Sequence, residues 1–121
     1  MIAWNGTAQS SRALGYAIPL LRGVPDVTVL SVGVEGVRAP TEPAIDYLAR
    51  HGVRARSATF DAGTGSARAR GRTLLGHVMA AGADLMVMGA FGDGGVLSFL
   101  GLGGATGKII TASKVPVLIA R

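Results

Sequence analysis

The part of the sequence best suited to binding chemistry is a glycine-rich stretch that follows an apolar run of β-strand length. The run Ala83–Gly89 ends in glycine, and Gly92 lies in the loop beyond it. A helix-like segment begins near Gly103, and Gly104 and Thr106 follow. Backbone N–H groups are presented to an anion when a strand is followed by a glycine-rich loop and then by the N-terminus of a helix. Glycine also lets the backbone approach a ligand closely. The spacing alone leaves a second interpretation open, a glycine-rich turn that holds no ligand.

Side chains suited to acid–base, nucleophilic or metal chemistry are sparse. The chain has no cysteine and two histidines, His51 and His77, so a thiolate site is excluded and a multi-histidine metal site is not expected. A serine nucleophile needs a nearby histidine and an orienting carboxylate, but the helical patterns place neither histidine on a strand-end loop. The Walker A lysine pattern and a Gly-x-Gly-x-x-Gly sequence after the first strand are also absent. We therefore predict no catalytic residues, no metal site and no enzymatic activity.

The composition predicts one domain, residues 1–121, with an aliphatic core. Hydrophobic residues make up 49% of the chain and aromatic residues only 5%. The formal charge of +5 is a reason to consider nucleic acid as a partner. However, the one arginine cluster, Arg68, Arg70 and Arg72, has no interleaved aromatic residues. It is typical of a solvated helix face, so we predict no specific nucleic-acid partner.

The sequence shows neither a secretory signal nor a membrane span. Met1 leads directly into a strand-like run. The uncharged stretch Gly94–Gly107 is too short and too rich in glycine for a bilayer, which requires roughly 20 apolar residues. These features predict a cytoplasmic protein with no membrane contact.

Strand-like runs alternate with helical patterns along the whole chain. Strands are predicted at residues 2–4, 27–32, 53–60, 83–89 and 115–120, with helices between them. Alternation of this kind indicates an α/β domain with a parallel sheet and right-handed crossovers. Arg54 and Arg56 alternate with small residues in the third strand, and Pro116 lies near the start of the last, so both are expected at sheet edges.

The helix boundaries follow from capping residues and apolar spacing. Hydroxyl residues are predicted to cap the first three helices, and glycines to end them; the caps are Thr7, Thr41 and Ser66, and the last stop is Gly82. The predicted buried residues are Ile45, Leu48 and Ala49 in the second helix, Leu74, Leu75, Val78 and Met79 in the third, and Ile109 and Ile110 in the fourth.

In such sheets a ligand lies beyond the carboxyl ends of the strands, at the point where the winding reverses. The first and fourth strands carry the two loops suited to this place, Asn5–Thr7 and Gly89–Thr106.

The sequence resembles a universal stress protein domain over essentially its whole length. Four segments carry the resemblance: the opening Ala3–Thr7, the second strand Val29–Val32, the segment Gly82–Gly89, and the closing pair Gly103–Thr106 and Val115–Leu118. The family implies a doubly wound, five-stranded parallel sheet in the order 3-2-1-4-5, with helices on both faces, of the adenine nucleotide alpha hydrolase-like type. Family members often occur as tandem pairs of domains, and the opening and closing segments of this chain are most similar to the second domain of such a pair.

The nucleotide-binding branch of this family carries Gly-x-x-Gly, nine residues, and then Gly-Ser/Thr. Here Gly89 and Gly92 are followed by ten residues before Gly103, and Gly104 replaces the hydroxyl residue. Asn5 stands where the family usually has aspartate. The resemblance thus implies a regulatory domain whose degenerate site holds ATP or AMP weakly. The site residues it implies are Asn5, Gly6, Thr7, Val32, Met88, Gly89, Gly92, Gly103, Gly104 and Thr106, with adenine between Val32 and the first strand and phosphates on the Gly92 and Gly103 amides.

The sequence is also compatible with a second class of function, that of a dimerisation or interaction module. The apolar edge strand Val115–Ala120 is suited to pairing with a second copy, and the resemblance implies a homodimer built on it. The alternative is therefore a dimerisation or interaction module that binds no nucleotide.

Overall fold

The computed structural model describes residues 1–33, 37–61, 63, 67–90 and 105–121. It forms a parallel five-stranded sheet in the order β3-β2-β1-β4-β5, which confirms the predicted order and both edge strands. The elements are β1 (Ile2–Trp4), α1 (Ala8–Leu21), β2 (Thr28–Gly33), α2 (Glu42–Arg50), β3 (Arg56–Asp61), α3 (Ala67–Ala80), β4 (Met86–Gly89), α4 (Ala105–Ala112) and β5 (Val117–Ala120).

Helices cover both faces of the sheet and divide the core in two. Because side chains alternate along a strand, neighbouring residues enter opposite layers. Ile2, Trp4 and Val87 pack with α1 and α2, whereas Leu30 and Met88 pack with α3 and α4. Burial on both faces explains why the central strands read as nearly continuous apolar runs.

Local capping interactions hold the ends of α1 and α3 as predicted. The Thr7 hydroxyl oxygen accepts a hydrogen bond from the Ser10 N–H at 3.3 Å. At the end of α3, Gly82 has a φ of 63° and donates its N–H to the Met79 carbonyl, while Ala83 donates to the Val78 carbonyl. This left-handed stop is the expected role of a C′ glycine. The predicted Ser66 cap lies outside the described residues.

The predicted hydroxyl cap of α2 is wrong. Thr41 occupies the cap position, but its side chain makes no capping hydrogen bond. Its hydroxyl lies 2.6 Å from the Ser57 hydroxyl of β3, and Thr41 is only 3% exposed. The Thr41 carbonyl instead accepts the N–H groups of Ala44 and Ile45. The hydroxyl therefore ties α2 to the edge strand.

The predicted buried residues are wrong at one position in each of α2, α3 and α4; in α2 the prediction also missed Ala44, and Ile45 is half-buried. In α2 the buried residues are Ala44 and Leu48, whereas Ala49 is exposed. Met79 and Ile110 are 48% and 54% exposed, beside fully buried neighbours. Each helical residue is rotated by about 100° from the one before it, so a residue adjacent to a core position turns toward solvent.

The predicted third strand begins three residues too early. Val53 is buried, but it lies in the turn that ends α2, where its N–H donates to the Leu48 carbonyl at 2.9 Å. Gly52, with a φ of 76°, donates to the Ala49 carbonyl. The apolar residue thus belongs to the helix stop, a known partner of the C′ glycine.

Truncating the core side of α2 is expected to weaken the fold strongly. Leu48 is 0% exposed, so Leu48→Ala should lower the free energy of unfolding by roughly 2–5 kcal/mol. Leu20→Ala is the matched control, because Leu20 is 55% exposed and should change stability by no more than about 0.5 kcal/mol. Urea denaturation measures both, and equal losses would contradict the assigned core.

Candidate functional site

The carboxyl end of β4 lies directly against the first turn of α1. A β-carbon added at Gly89 would overlap the Ser10 backbone nitrogen and approach the Gln9 carbonyl carbon to 2.6 Å. Only glycine fits this contact, so Gly89 is required for helix packing whether or not a ligand is present. Since β1 pairs with β4, with Ala3 opposite Met88, the contact brings the Asn5–Thr7 turn next to the end of β4.

The turn after β1 is held by its own side chains. The Asn5 side-chain oxygen accepts two hydrogen bonds from Thr7, one from the backbone N–H at 3.2 Å and one from the hydroxyl at 2.7 Å. Gly6 supplies the positive φ, 75°, between them. The Asn5 acceptor and the Thr7 hydroxyl proton are therefore used inside the turn, while the exposed Asn5 amide nitrogen has no partner among the described residues.

Val32 and Met88 lie on one face of the sheet, as the predicted base-binding surface requires. Both pack with the α3 and α4 cluster, and their strands flank β1 on either side. Val32 is half-buried and Met88 is buried. Ala3 belongs to the same cluster from β1, so a small side chain separates two larger ones.

Two buried polar groups beside this place were missed by sequence reasoning. The Trp4 indole N–H donates to the Pro40 carbonyl at 2.9 Å, and the Ser31 hydroxyl donates to the Ala39 carbonyl at 2.8 Å. They fix the segment Val37–Thr41 beside Gly6, where an added β-carbon would lie 3.4 Å from that of Ala39. These hydrogen bonds could have been expected from the sequence, because Trp4 and Ser31 lie in buried strands and their buried donors need acceptors.

The remaining predicted residues are placed only in part. Gly92, Gly103 and Gly104 lie outside the described residues. Thr106 lies in the first described turn of α4, and the predicted helix start near Gly103 lies outside the described residues. The structure thus brings together Asn5, Gly6, Thr7, Val32, Met88 and Gly89, and the phosphate-binding half of the predicted site stays a prediction.

Both histidines lie away from the carboxyl end of β1 and β4. The His51 Nδ1 is 2.8 Å from the Tyr47 carbonyl oxygen, and the His77 ring centroid is 3.8 Å from that of Phe60. Within the described ranges, no three acidic or histidine side chains are grouped as a metal ion requires. No helix in the described part of the chain is long and apolar enough to cross a membrane.

Of three clefts in the described structure, two lie far from the predicted site, and the third is lined by Ala39, which neighbours Gly6. Two, of about 200 and 360 Å³, share Met1 and Arg56 at the amino ends of the strands. The third, of about 420 Å³, lies between Arg38 and Thr59 beside β3. The Met1 amino group, which lines the first two clefts, is partly buried. This desolvation lowers its pKa, despite the nearby Asp84 and Asp26 carboxylates. None of these clefts is lined by a predicted site residue.

The sheet order defines a doubly wound α/β domain, in which the winding reverses between β1 and β4. A family model described as the universal stress protein family matches residues 1–121. The chain therefore belongs to the universal stress protein family, which confirms the predicted resemblance. Comparison with the curated proteins gives no match.

Solved structures of universal stress proteins share this fold. A protein from Archaeoglobus fulgidus DSM 4304 has a TM-score of 0.75 and 20% identity; the match covers 99% of this chain and 42% of that one. A universal stress protein in complex with cAMP has a TM-score of 0.70 and 17% identity, covering 99% and 94%. An A. fulgidus protein in complex with dAMP has a TM-score of 0.68 and 17% identity, also covering 99% and 94%. These likenesses confirm the predicted adenine nucleotide alpha hydrolase-like fold.

The contact between β4 and α1 predicts that Gly89→Ala will destabilise the protein. The added methyl group forces backbone to move, which costs roughly 1–3 kcal/mol as overpacking does elsewhere. Gly76→Ala is the control, because Gly76 lies in α3 and an added β-carbon meets nothing within 4 Å. That change should stabilise the protein by about 0.5–1 kcal/mol. Thermal unfolding of both variants tests the contact, and a neutral Gly89→Ala would refute it.

Proposed function

We propose that this protein is a regulatory domain that binds an adenine nucleotide, ATP or AMP, weakly at the carboxyl ends of β1 and β4. The observation that carries the proposal is the meeting of the Asn5–Thr7 turn with Met88 and Gly89 at the start of α1. The half-buried Val32 offers apolar surface for a base, on the face of the sheet that it shares with the buried Met88. The start of α1 adds the partial positive charge that a helix N-terminus offers to an anion.

The ligand class is taken from structural neighbours. Proteins of the same fold have been solved in complex with cAMP and with dAMP. Both ligands combine adenine with a sugar and one phosphate, and this combination is what we assign to the present chain. The base would lie between Val32 and β1, with phosphate oxygens on the amides of Gly92 and Gly103 and beside Thr106.

Several sequence features argue that polyphosphates bind weakly. Asp93 places a carboxylate in the loop that would surround the phosphates, and the chain has no lysine or arginine between Arg72 and Lys108. Gly104 lacks the hydroxyl that the family motif supplies. A hydrogen bond to a charged group is worth roughly 1.5–3 kcal/mol, so its loss lowers affinity by about tenfold to a hundredfold. Adenosine and AMP should therefore lose less affinity than ATP.

Reversing the charge at Asp93 is expected to improve ATP binding selectively. In Asp93→Arg, repulsion is replaced by attraction, and ATP affinity should rise by roughly fivefold to tenfold while adenosine affinity changes little. Isothermal titration calorimetry with ATP, AMP and adenosine measures this. Asp46→Arg is the control, since it makes the same charge change at an exposed position on α2.

Two results of that titration would count against the proposal in different ways. An equal response of ATP and adenosine would show that Asp93 lies away from the phosphates. Failure of all three ligands to bind the unaltered protein would remove the nucleotide function and leave the interaction module.

A second proposal, homodimerisation through Val115–Ala120, is supported by the free edge of β5. The carbonyls of Pro116 and Ala120 accept hydrogen bonds from β4, so by alternation the backbone groups of Val117 and Ile119 point away from the sheet. The side chains of Val117, Leu118 and Ile119 are only half-buried. A second copy would satisfy those backbone groups and cover that apolar surface.

Proline at position 117 is expected to weaken such a dimer. Val117→Pro removes one outward N–H from each copy, which should cost about 1–3 kcal/mol for the pair, roughly tenfold to a hundredfold in dissociation constant. Thr59→Pro is the matched control. The Arg56 N–H donates to the carbonyl of Val27, the residue before β2, so alternation points the Thr59 N–H away from the sheet on the opposite edge. Sedimentation velocity measures the dimer, with thermal unfolding as a check on folding. Monomeric unaltered protein at high concentration would refute this assembly.

A further inference from the structure

The outer flank of helix α1 carries an exposed apolar pair of side chains. On one side α1 adjoins α2, because a β-carbon added at Gly15 would lie 3.5 Å from the Tyr47 hydroxyl oxygen. Successive helical residues are rotated by about 100°, so Gly15 lies to one side of the buried face at Leu21, and Tyr16 and Leu20 lie to the other. Tyr16 and Leu20 are 67% and 55% exposed. We call this pair the α1 flank, and no element in the described part of the chain covers it.

The α1 flank lies beside the free edge of β5. α1 packs across β4 and β5, and one turn before Tyr16 the Arg12 guanidinium donates to the Arg121 carbonyl, just beyond β5, at 3.1 Å. A crossover helix runs antiparallel to the strands that it connects. With rises of about 1.5 Å per helical residue and about 3.3 Å per strand residue, Tyr16 lies about two strand residues back from Arg121, and Leu20 about two more. The α1 flank therefore runs along the whole length of β5.

A dimer interface made by β5 alone would be small. The strand has only four residues, Val117–Ala120, whereas a stable specific interface buries about 800 Å² on each partner. Aromatic side chains bury roughly 150–250 Å² each, so exposed Tyr16 and its neighbour Leu20 are a substantial further source of area. The proposed dimer requires contact surface beyond the strand, and the α1 flank is the apolar surface that adjoins it.

The symmetry of the proposed homodimer, on which this inference rests, determines where the two α1 helices lie. A two-fold axis that pairs β5 with β5 makes those strands antiparallel in one sheet and places both α1 helices on the same face. With about 4.8 Å between strands, a helix over β4 and β5 lies about 5–7 Å from the axis, so the two helices are about 10–14 Å apart. Directly packed helices are about 8–10 Å apart, and large side chains such as Tyr16 and Leu20 fill the difference.

We infer that the α1 flank is a self-complementary interaction surface and that the partner it fits is the α1 flank of a second copy. The two helices pack antiparallel beside the junction of the β5 strands, with Tyr16 near the two-fold axis. The interface is isologous, so each of the two side chains contributes twice.

Site-specific cross-linking tests the proximity of the two helices directly. The chain has no cysteine, so a single introduced thiol reports only on its own surroundings. Tyr16→Cys should be cross-linked between copies by a short bis-maleimide. Met79→Cys is the matched control, because Met79 is exposed but lies on α3, whose His77 stacks on Phe60 at the opposite edge of the sheet. That variant should remain uncross-linked.

Loss of the apolar pair should weaken the dimer without unfolding the chain. The double variant Tyr16→Gln with Leu20→Gln should raise the dimer dissociation constant by about tenfold to a hundredfold, because four apolar side chains per dimer lose their contacts. Met79→Gln should leave it unchanged. Sedimentation velocity measures both. Since both altered side chains are exposed in the single chain, the thermal unfolding of dilute, monomeric protein should be nearly the same for all variants.

The outcomes separate this inference from the dimer on which it rests. Unaltered protein that stays monomeric at high concentration would remove the dimer, and the inference with it. A dimer that Val117→Pro weakens but the Tyr16 and Leu20 double variant does not would overturn the inference and leave β5 pairing in place. Cross-linking of Tyr16→Cys no stronger than that of Met79→Cys would overturn it in the same way.

Discussion

The close contact between the end of β4 and the start of α1 is the constraint on which the rest of this structure depends. A side chain at Gly89 would occupy the space of Gln9 and Ser10. With glycine there, α1 packs across β4 and β5. The three-residue strand β1 is thereby covered and paired on both sides. The same contact sets how closely the Asn5–Thr7 turn approaches the end of β4.

Polar groups at this end of the sheet mostly serve the fold. Trp4 and Ser31 donate to the segment after β2, and Asn5 and Thr7 bond to each other. A buried hydrogen-bond network that is fully satisfied is rigid, whereas an unpaired member is costly. Every described buried side-chain nitrogen or oxygen has a partner. Among the described side chains of the β1 turn, the exposed Asn5 amide nitrogen has no hydrogen-bond partner.

The sequence predicts best those features whose causes lie within a few residues along the chain. The strand order was predicted from the resemblance, and the edge positions of β3 and β5 were predicted independently from Arg56 and Pro116. The Thr7 cap and the Gly82 stop depend on residues within one turn, and both predictions are confirmed. The Thr41 cap failed because its partner, Ser57, lies on another element. No local pattern contains that pairing.

The role of Gly89 shows why a motif and a site need separate arguments. The first glycine of the family motif is explained here by helix packing, so its presence would be expected even in a member that binds nothing. The evidence for a ligand must come from groups that the fold leaves unused. β4 also pairs with β5, where Gly89 lies opposite Ala120 and the Ala90 N–H donates to the Ala120 carbonyl. One short strand therefore links the candidate site to the edge strand β5 through backbone hydrogen bonds.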